Sequence, residues 1–299
     1  MSKATILVVD DIAENVTLLR YQLEDEDYAV LEAYNGEQAL AVAKEHNPDL
    51  VLLDVMMPGM TGLDVIKHFK QNTQLAKIPV ILVTANSDDS SVVEGLDIGA
   101  YDYIIKPYNH TVMFARVRAA LREKERQDLL ERWATMDPLT GINNRRFFFS
   151  ETEREFARAQ RGALMAVLLL DIDNFKKVND DYGHLAGDQA LISIADTLRE
   201  SFRKVDIFGR YGGEEFIICL PDTPLQAAAE VAERLRQKIA TNPLHFEQSS
   251  FSITASIGVT CFNNADQSLA DVIKRADIAL YRAKNNGRNR VETEAPQNN

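Results

Sequence analysis

Along the first 121 residues, short apolar runs alternate with segments whose apolar positions recur every three or four residues. The runs at 6–9, 29–31, 50–53, 80–83 and 103–105 read as strands, and helical patterns begin at Glu14, Gly36, Gly62, Asp88 and, last, near His110. Five strand–helix units in succession predict an α/β domain built on a five-stranded, parallel, doubly wound sheet covered on both faces. The pattern then changes. Asn143–Arg146 leads into a helix, 163–170 reads as a buried strand, and 184–202 as a helix. Two β-prone flanks enclose Gly212-Gly213 as a hairpin. A helix at 224–240, a strand near 252–259 and a helix at 270–285 follow. This mixed order predicts an α+β domain with helices packed on a sheet that contains antiparallel strands.

Between the two patterns, His110 to Met136 contain neither Gly nor Pro, which predicts one helix of roughly 40 Å. Phe114, Val117 and Leu121 are spaced three and four, as in a coiled-coil seam. Continuing that frame places Lys124, Asp128 and Glu131 in the core, whereas Leu129, Trp133 and Met136 form a second set out of phase with the first. The expectation is a parallel dimeric coiled coil with two short seams and two registers of similar energy, a bistable element suited to passing on a switch. The expected division is therefore 1–121, a linker helix at 122–136, 137–293, and a disordered polar tail at 294–299, with the polar stretch beginning at Val291.

The strand ends of the first domain carry Asp10-Asp11, Asp54, Thr84 and Lys106-Pro107. Ligands of parallel sheets gather at such carboxyl ends. Three carboxylates there repel one another unless a divalent cation sits among them, and oxygen-only donors suit Mg²⁺. A hydroxyl and an ammonium nearby can hold an anion beside the metal, which together is a toolkit for placing phosphate on a carboxylate. On these residues the domain resembles a bacterial two-component receiver. The resemblance implies Asp54 as phosphoacceptor, Asp10, Asp11 and the Met56 carbonyl as metal ligands, Thr84 and Lys106 as phosphoryl contacts, and Tyr103 as the switch aromatic. A separate histidine kinase is the implied phosphoryl donor.

In the second domain, Asp171 ends a strand and Glu214 follows the Gly-Gly turn, so they converge if those strands are neighbours. Two carboxylates and a carbonyl make a site for Mg²⁺ bridging nucleotide phosphates. Lys284 and Arg288, four apart, are expected on one helix face to neutralise phosphates, and Asn179 and Asp188 have the groups to read a purine edge. The residues alone reach metal-dependent nucleotide chemistry. The motifs Asp137-Pro138-Leu139-Thr140-Gly141, Asp171-Ile172-Asp173 through Asn179-Asp180, and Gly212-Gly213-Glu214-Glu215-Phe216 resemble the GGDEF diguanylate cyclase domain, with Glu at 214 in place of the eponymous Asp. That resemblance implies metal held by Asp171, the Ile172 carbonyl and Glu214, with Mn²⁺ able to replace Mg²⁺. It implies guanine at Asn179 and Asp188, and phosphates at Lys176, Lys284 and Arg288. Gly212 and Gly213 would let the nucleotide approach, and Glu214 or Glu215 would act as base. Two GTP would be joined into cyclic di-GMP across a homodimer. Arg203 and Asp206, an RxxD tetrad ending before the hairpin, resemble the family's product-inhibition site.

Composition narrows the alternatives. The net charge is −12, and residues 1–135 hold 13 Lys and Arg against 22 Asp and Glu, a local balance of −9. Such a charge disfavours non-specific nucleic-acid or membrane binding and speaks against a DNA-binding regulator. A nucleotide-binding adaptor without turnover is the other alternative, and intact Asp171 and Glu214 oppose it. No signal peptide opens the chain, and the apolar run at 163–170 is too short to span a bilayer, so a cytoplasmic protein is expected. Cys219 and Cys261 lie in apolar runs and are expected as thiols rather than a disulfide.

Overall fold

The computed structural model describes residues 3–85, 89–246 and 249–295. The chain divides into two units, Met1–Leu130 and Glu131–Asn299. In the first, chain order is β1 (Thr5–Val9), α1 (Ala13–Asp25), β2 (Ala29–Ala33), α2 (Gly36–His46), β3 (Leu50–Asp54), α3 (Gly62–Gln71), β4 (Val80–Thr84), α4 (Asp89–Ile98), β5 (Asp102–Ile105) and α5 (His110–Thr135). The expected helix start at Asp88 lies outside the described residues. All strand pairs are parallel, in the order β2-β1-β3-β4-β5.

Alternation along the strands feeds two cores. Leu7, Val9, Val51, Leu53 and Leu82 pack under α2 and α3 against Ala39, Ala43, Val65, Ile66 and Phe69. Ile6, Val8, Leu50, Leu52 and Ile81 pack under α1 and α5 against Val16, Leu19, Met113, Phe114 and Val117. Each Val, Leu, Ile, Met or Phe side chain among them contributes about 1.5–3 kcal/mol by leaving water. The backbone turns are also set by sequence: Asn35 caps α2, and Thr61 with Asp64 forms a capping box on α3.

The single long helix forms as expected, but the first of its two expected seams is overturned. Phe114 and Val117 are 1% and 0% exposed in the first unit's own core, and Leu121 packs on its edge. A helix covering a sheet and a coiled-coil seam both require apolar residues every three to four positions, so spacing alone cannot tell them apart. The later set remains exposed, with Leu129 at 43%, Trp133 at 70% and Met136 at 39%. Lys124 and Asp128, placed in a core by the seam frame, instead pair with each other along the helix at 2.5–2.6 Å.

The second unit contains α6 (Arg145–Ala159), β6 (Met165–Ile172), α7 (Phe175–Tyr182), α8 (His184–Ser201), β7 (Ile207–Arg210), β8 (Glu215–Pro221), α9 (Leu225–Thr241), β9 (Leu244–Phe246), β10 (Ser249–Phe251), β11 (Ala255–Cys261), α10 (Leu269–Asn285) and β12 (Val291–Glu294). Its main sheet runs β12-β11-β6-β8-β7, with β6 antiparallel to both β8 and β11. All eight residues of β6 are buried, as befits a central strand covered on both faces. The polar stretch from Val291, expected as tail, forms the parallel edge strand β12 through Glu294. Edge strands tolerate polar residues, so composition hid it. Residues 296–299 of that tail lie outside the described residues. Both cysteines are free thiols.

Candidate functional site

In the first unit, strand order brings Asp10, Asp54, Thr84 and Lys106 to one end of the sheet. Asp10, Asp54 and Thr84 are buried, and Asp11 beside them is exposed. The Lys106 ammonium donates to Asp10 Oδ2 at 2.7 Å and to Asp54 Oδ1 at 2.6 Å. Asp54 Oδ2 accepts the Met56 N–H at 2.8 Å, while the Met56 side chain is exposed. Burial raises the Asp54 carboxyl above its usual range and Asp10 adds to this, against the opposing pull of Lys106. Burial alone would lower the Lys106 ammonium, but its bonds to the two carboxylates raise it. Asn15, which the sequence reading missed, clamps both oxygens of Asp10 at 3.0 Å. Tyr103, half-buried on β5, carries the Arg116 guanidinium over its ring at 5.7 Å.

In the second unit, the β6–β8 register sets Asp171 directly opposite Glu215, and the Ile172 N–H reaches the Glu214 carbonyl at 3.4 Å. Opposed residues of an antiparallel pair share a face. Asp171 and Glu215 therefore meet at one edge, and Glu214 adjoins them in the loop, within reach of the Asp171 charge. Asp171 is 5% exposed, and Lys284, reaching over from the last turn of α10, contacts its Oδ2 at 2.8 Å. Burial first, and then the neighbouring Asp171 charge, raises both Glu214 and Glu215, with Lys284 opposing. Burial likewise raises Asp171 against Lys284 and Arg288. Among the described residues no three acidic, histidine or cysteine side chains close into a ready-made metal cage. Both clusters nevertheless offer crowded carboxylate oxygens whose charge a cation would relieve.

The hairpin is a four-residue loop, Tyr211 to Glu214, closed by the Tyr211 N–H on the Glu215 carbonyl at 2.8 Å. Gly212 and Gly213 are absent from the left-handed positions, so this is not the two-residue turn their pairing suggested. A side chain at Gly213 would meet open space, which leaves the backbone accessible. Arg210 pins the loop from beneath: its guanidinium donates to the Gly213 carbonyl at 2.7 Å and to both oxygens of Asp137 at 3.1 and 3.2 Å. Asp137 is further held by the Thr140 hydroxyl and N–H. Sequence reading registered the Asp137 motif without its partner Arg210, because the two are far apart along the chain.

Asn179 on α7 and Asp188 on α8 flank Gly187, where a Cβ would lie 2.0 Å from Asn179 Oδ1. Only glycine lets the carboxamide settle against α8. Lys176 is exposed on the first turn of α7. The expectation that Lys284 and Arg288 share a helix face is overturned. α10 ends at Asn285, Gly287 turns left-handed at φ 111°, and Arg288 lies in the loop beyond. Arg203 and Asp206 form the turn after α8, with Asp206 Oδ2 accepting the Arg203 N–H at 2.8 Å and the Arg203 residue exposed. A cavity of about 500 Å³ between α8, α9 and β9 shares no residue with this site.

One unit carries a parallel sheet with an acid–lysine cluster at its rim, and the other a mixed sheet with a Gly-Gly-Glu-Glu hairpin. The family pattern "Diguanylate cyclase, GGDEF domain" matches residues 134–290 and "Response regulator receiver domain" matches 6–118. The chain belongs to the GGDEF diguanylate cyclases and is a diguanylate cyclase with a receiver domain. It is 28% identical to "Response regulator PleD" of Caulobacter vibrioides, over 96% of this chain and 98% of that protein. It is 49% identical to "Diguanylate cyclase DgcP" of Pseudomonas aeruginosa, over 53% of this chain and 24% of that longer protein. The coiled coil and GGDEF domain of DgcB from Caulobacter crescentus, solved in complex with c-di-GMP, superposes with a TM-score of 0.56 at 31% identity, covering 62% of this chain and 98% of that one. Among the described residues no helix is long and apolar enough to cross a membrane.

Proposed function

We propose that this chain condenses two GTP molecules into cyclic di-GMP and two pyrophosphates, and that phosphorylation of Asp54 by a separate histidine kinase turns the reaction on. The convergence of Asp171, Glu214 and Glu215 at one sheet edge, with Lys284 already on Asp171, carries the proposal. Asp171, the Ile172 carbonyl and Glu214 would hold Mg²⁺ or Mn²⁺, whose charge offsets that of the triphosphate. Asn179 and Asp188 accept and donate along the guanine edge. Lys176, Lys284 and Arg288 neutralise the departing phosphates, and Gly212 and Gly213 leave room for the nucleotide.

The 3′-hydroxyl oxygen of one GTP attacks the α-phosphorus of the other. Its O–H proton passes to a carboxylate, Glu214 or Glu215, as the bond to pyrophosphate breaks in line. A carboxylate raised by burial holds such a proton better than an exposed one. The second unit of each copy offers one guanine pocket, so both ends of the cyclic product are made only where two copies face each other as a homodimer.

In the receiver, Asp54 takes the phosphoryl group, and Asp10, Asp11 and the Met56 carbonyl would hold the metal. Thr84 and Lys106 receive the new anion, and Tyr103 reports the change. Product feedback through Arg203 and Asp206 fits their exposed turn, where Asp206 is engaged with backbone and the Arg203 guanidinium faces solvent.

The test uses the purified full chain with GTP and Mg²⁺, product being separated chromatographically with and without a small phosphoryl donor. Cyclic di-GMP should form, faster with the donor, and Asp54→Asn should remove the increase while leaving the basal rate. Absence of product under both conditions would sink the proposal.

A further inference from the structure

Asp173, two residues beyond Asp171, is 6% exposed and takes no part in the chemistry above. Its carboxylate accepts from Ser256 Oγ at 2.6 Å, Thr254 Oγ1 at 2.7 Å and the Asn289 N–H at 2.9 Å. The first two donors belong to β11 and the segment just before it. The third belongs to the loop that follows α10 and carries Arg288. That loop is strained: Gly287, Arg288 and Asn289 have φ of 111°, 60° and 46°, three left-handed residues in succession, two of them not glycine. A non-glycine residue is disfavoured there, so surrounding bonds must fix it.

The Ile257 N–H on the Arg290 carbonyl at 2.9 Å holds the far end of the loop. The Arg288 N–H returns to the Ala283 carbonyl at 3.0 Å, and the Asn289 side chain accepts from Arg236 at 2.6 Å. The Asn289 N–H ends on Asp173. Arg288 is exposed on this loop, near enough to the acid edge for its charge to act on Asp171.

We propose that Asp173 is a positioning residue for phosphate binding: by gripping the Asn289 backbone it holds the left-handed loop that aims Arg288 at the triphosphate. This rests on the GTP site proposed above. Electrostatics alone gives the opposite sign. A buried carboxylate near the phosphates repels them, so removing its charge would tighten nucleotide binding, whereas removing an anchor loosens it.

Titration calorimetry with a non-hydrolysable GTP analogue and with guanosine, on the full chain with Mg²⁺, separates the two. Asp173→Ala should weaken analogue binding roughly tenfold and leave guanosine binding within twofold. Asp173→Asn keeps an oxygen for Asn289 and should recover most of the loss. In an Arg288→Ala background, Asp173→Ala should cost less than about twofold, because its effect runs through that arginine. Tighter binding in Asp173→Ala, an equal factor in both backgrounds, or an equal loss for guanosine overturns the proposal. If Asp173→Ala fails to fold, Asp173→Ser, whose shorter hydroxyl serves β11 without reaching Asn289, takes its place in the cycle. Failure of the wild-type chain to bind the analogue would instead refute the GTP site, so the two failures are distinguishable.

Discussion

Both units crowd buried acids at the rim of a five-stranded sheet and bring a lysine to them, yet the two clusters are assembled differently. In the receiver, Asp10, Asp54, Thr84 and Lys106 each end or follow a strand of one parallel sheet, so topology alone delivers them to one end. Lys106 then bridges two of the acids at 2.6 and 2.7 Å. In the cyclase, an antiparallel register places Asp171 across from Glu215, a loop supplies Glu214, and Lys284 arrives from the end of a helix to contact Asp171. Arg210 and Asp137 hold the hairpin from beneath, and Asp173 holds the loop that carries Arg288. A parallel rim needs little scaffolding beyond its strand order, whereas a composite rim depends on distant partners.

That contrast can be broken most directly at the acids themselves. Asp171→Asn or Glu214→Gln should lower GTP turnover by about 10³-fold or more, the scale expected for losing a group that acts on the reacting centre. Phosphoryl uptake at Asp54, read from labelled donor, should be unchanged. Uptake lost alongside turnover would show that the two clusters are not independent.

A smaller effect is expected where the composite site depends on packing. Gly187→Ala places a methyl on the Asn179 carboxamide and should raise KM for GTP roughly tenfold with a lesser change in kcat. An unchanged KM would remove Asn179 from the guanine pocket.

The smallest effect concerns the support beneath the hairpin. Burial opposes ionisation of Asp137, but its bonds to Thr140 and the Arg210 guanidinium hold the carboxyl below the usual range. A group whose folded value is depressed adds stability above its unfolded value, near pH 4, and loses it as pH falls through the folded value. Asp137→Asn should therefore cost about 1 kcal/mol at neutral pH, with the gap to wild type closing below about pH 4. A gap constant with pH in denaturant unfolding would mean that the charge of Asp137 contributes nothing.

Much of this was legible from residue order because strands and helices obey local periods. The receiver strands, the hairpin flanks and α8, α9 and α10 all follow from apolar spacing and turn residues, and strand-end acids can be recognised as such before any fold is known. Local pattern failed where two structures demand the same spacing, as with Phe114 and Val117, which read as a seam and lie against a sheet. It failed again where a polar strand relies on a neighbour, as at Val291–Glu294.

The sequence by itself determined most element types and the inventory of acids, lysines and glycines, since these depend on neighbours a few positions apart. Only the tertiary structure decided that Asp171 faces Glu215, that Arg210 ties Asp137 to the hairpin, that Arg288 leaves its helix, and that Asp173 reaches Asn289. Those pairings join residues 44 to 116 positions apart. Strand register and the burial of charge fix them, and neither leaves a period in the chain.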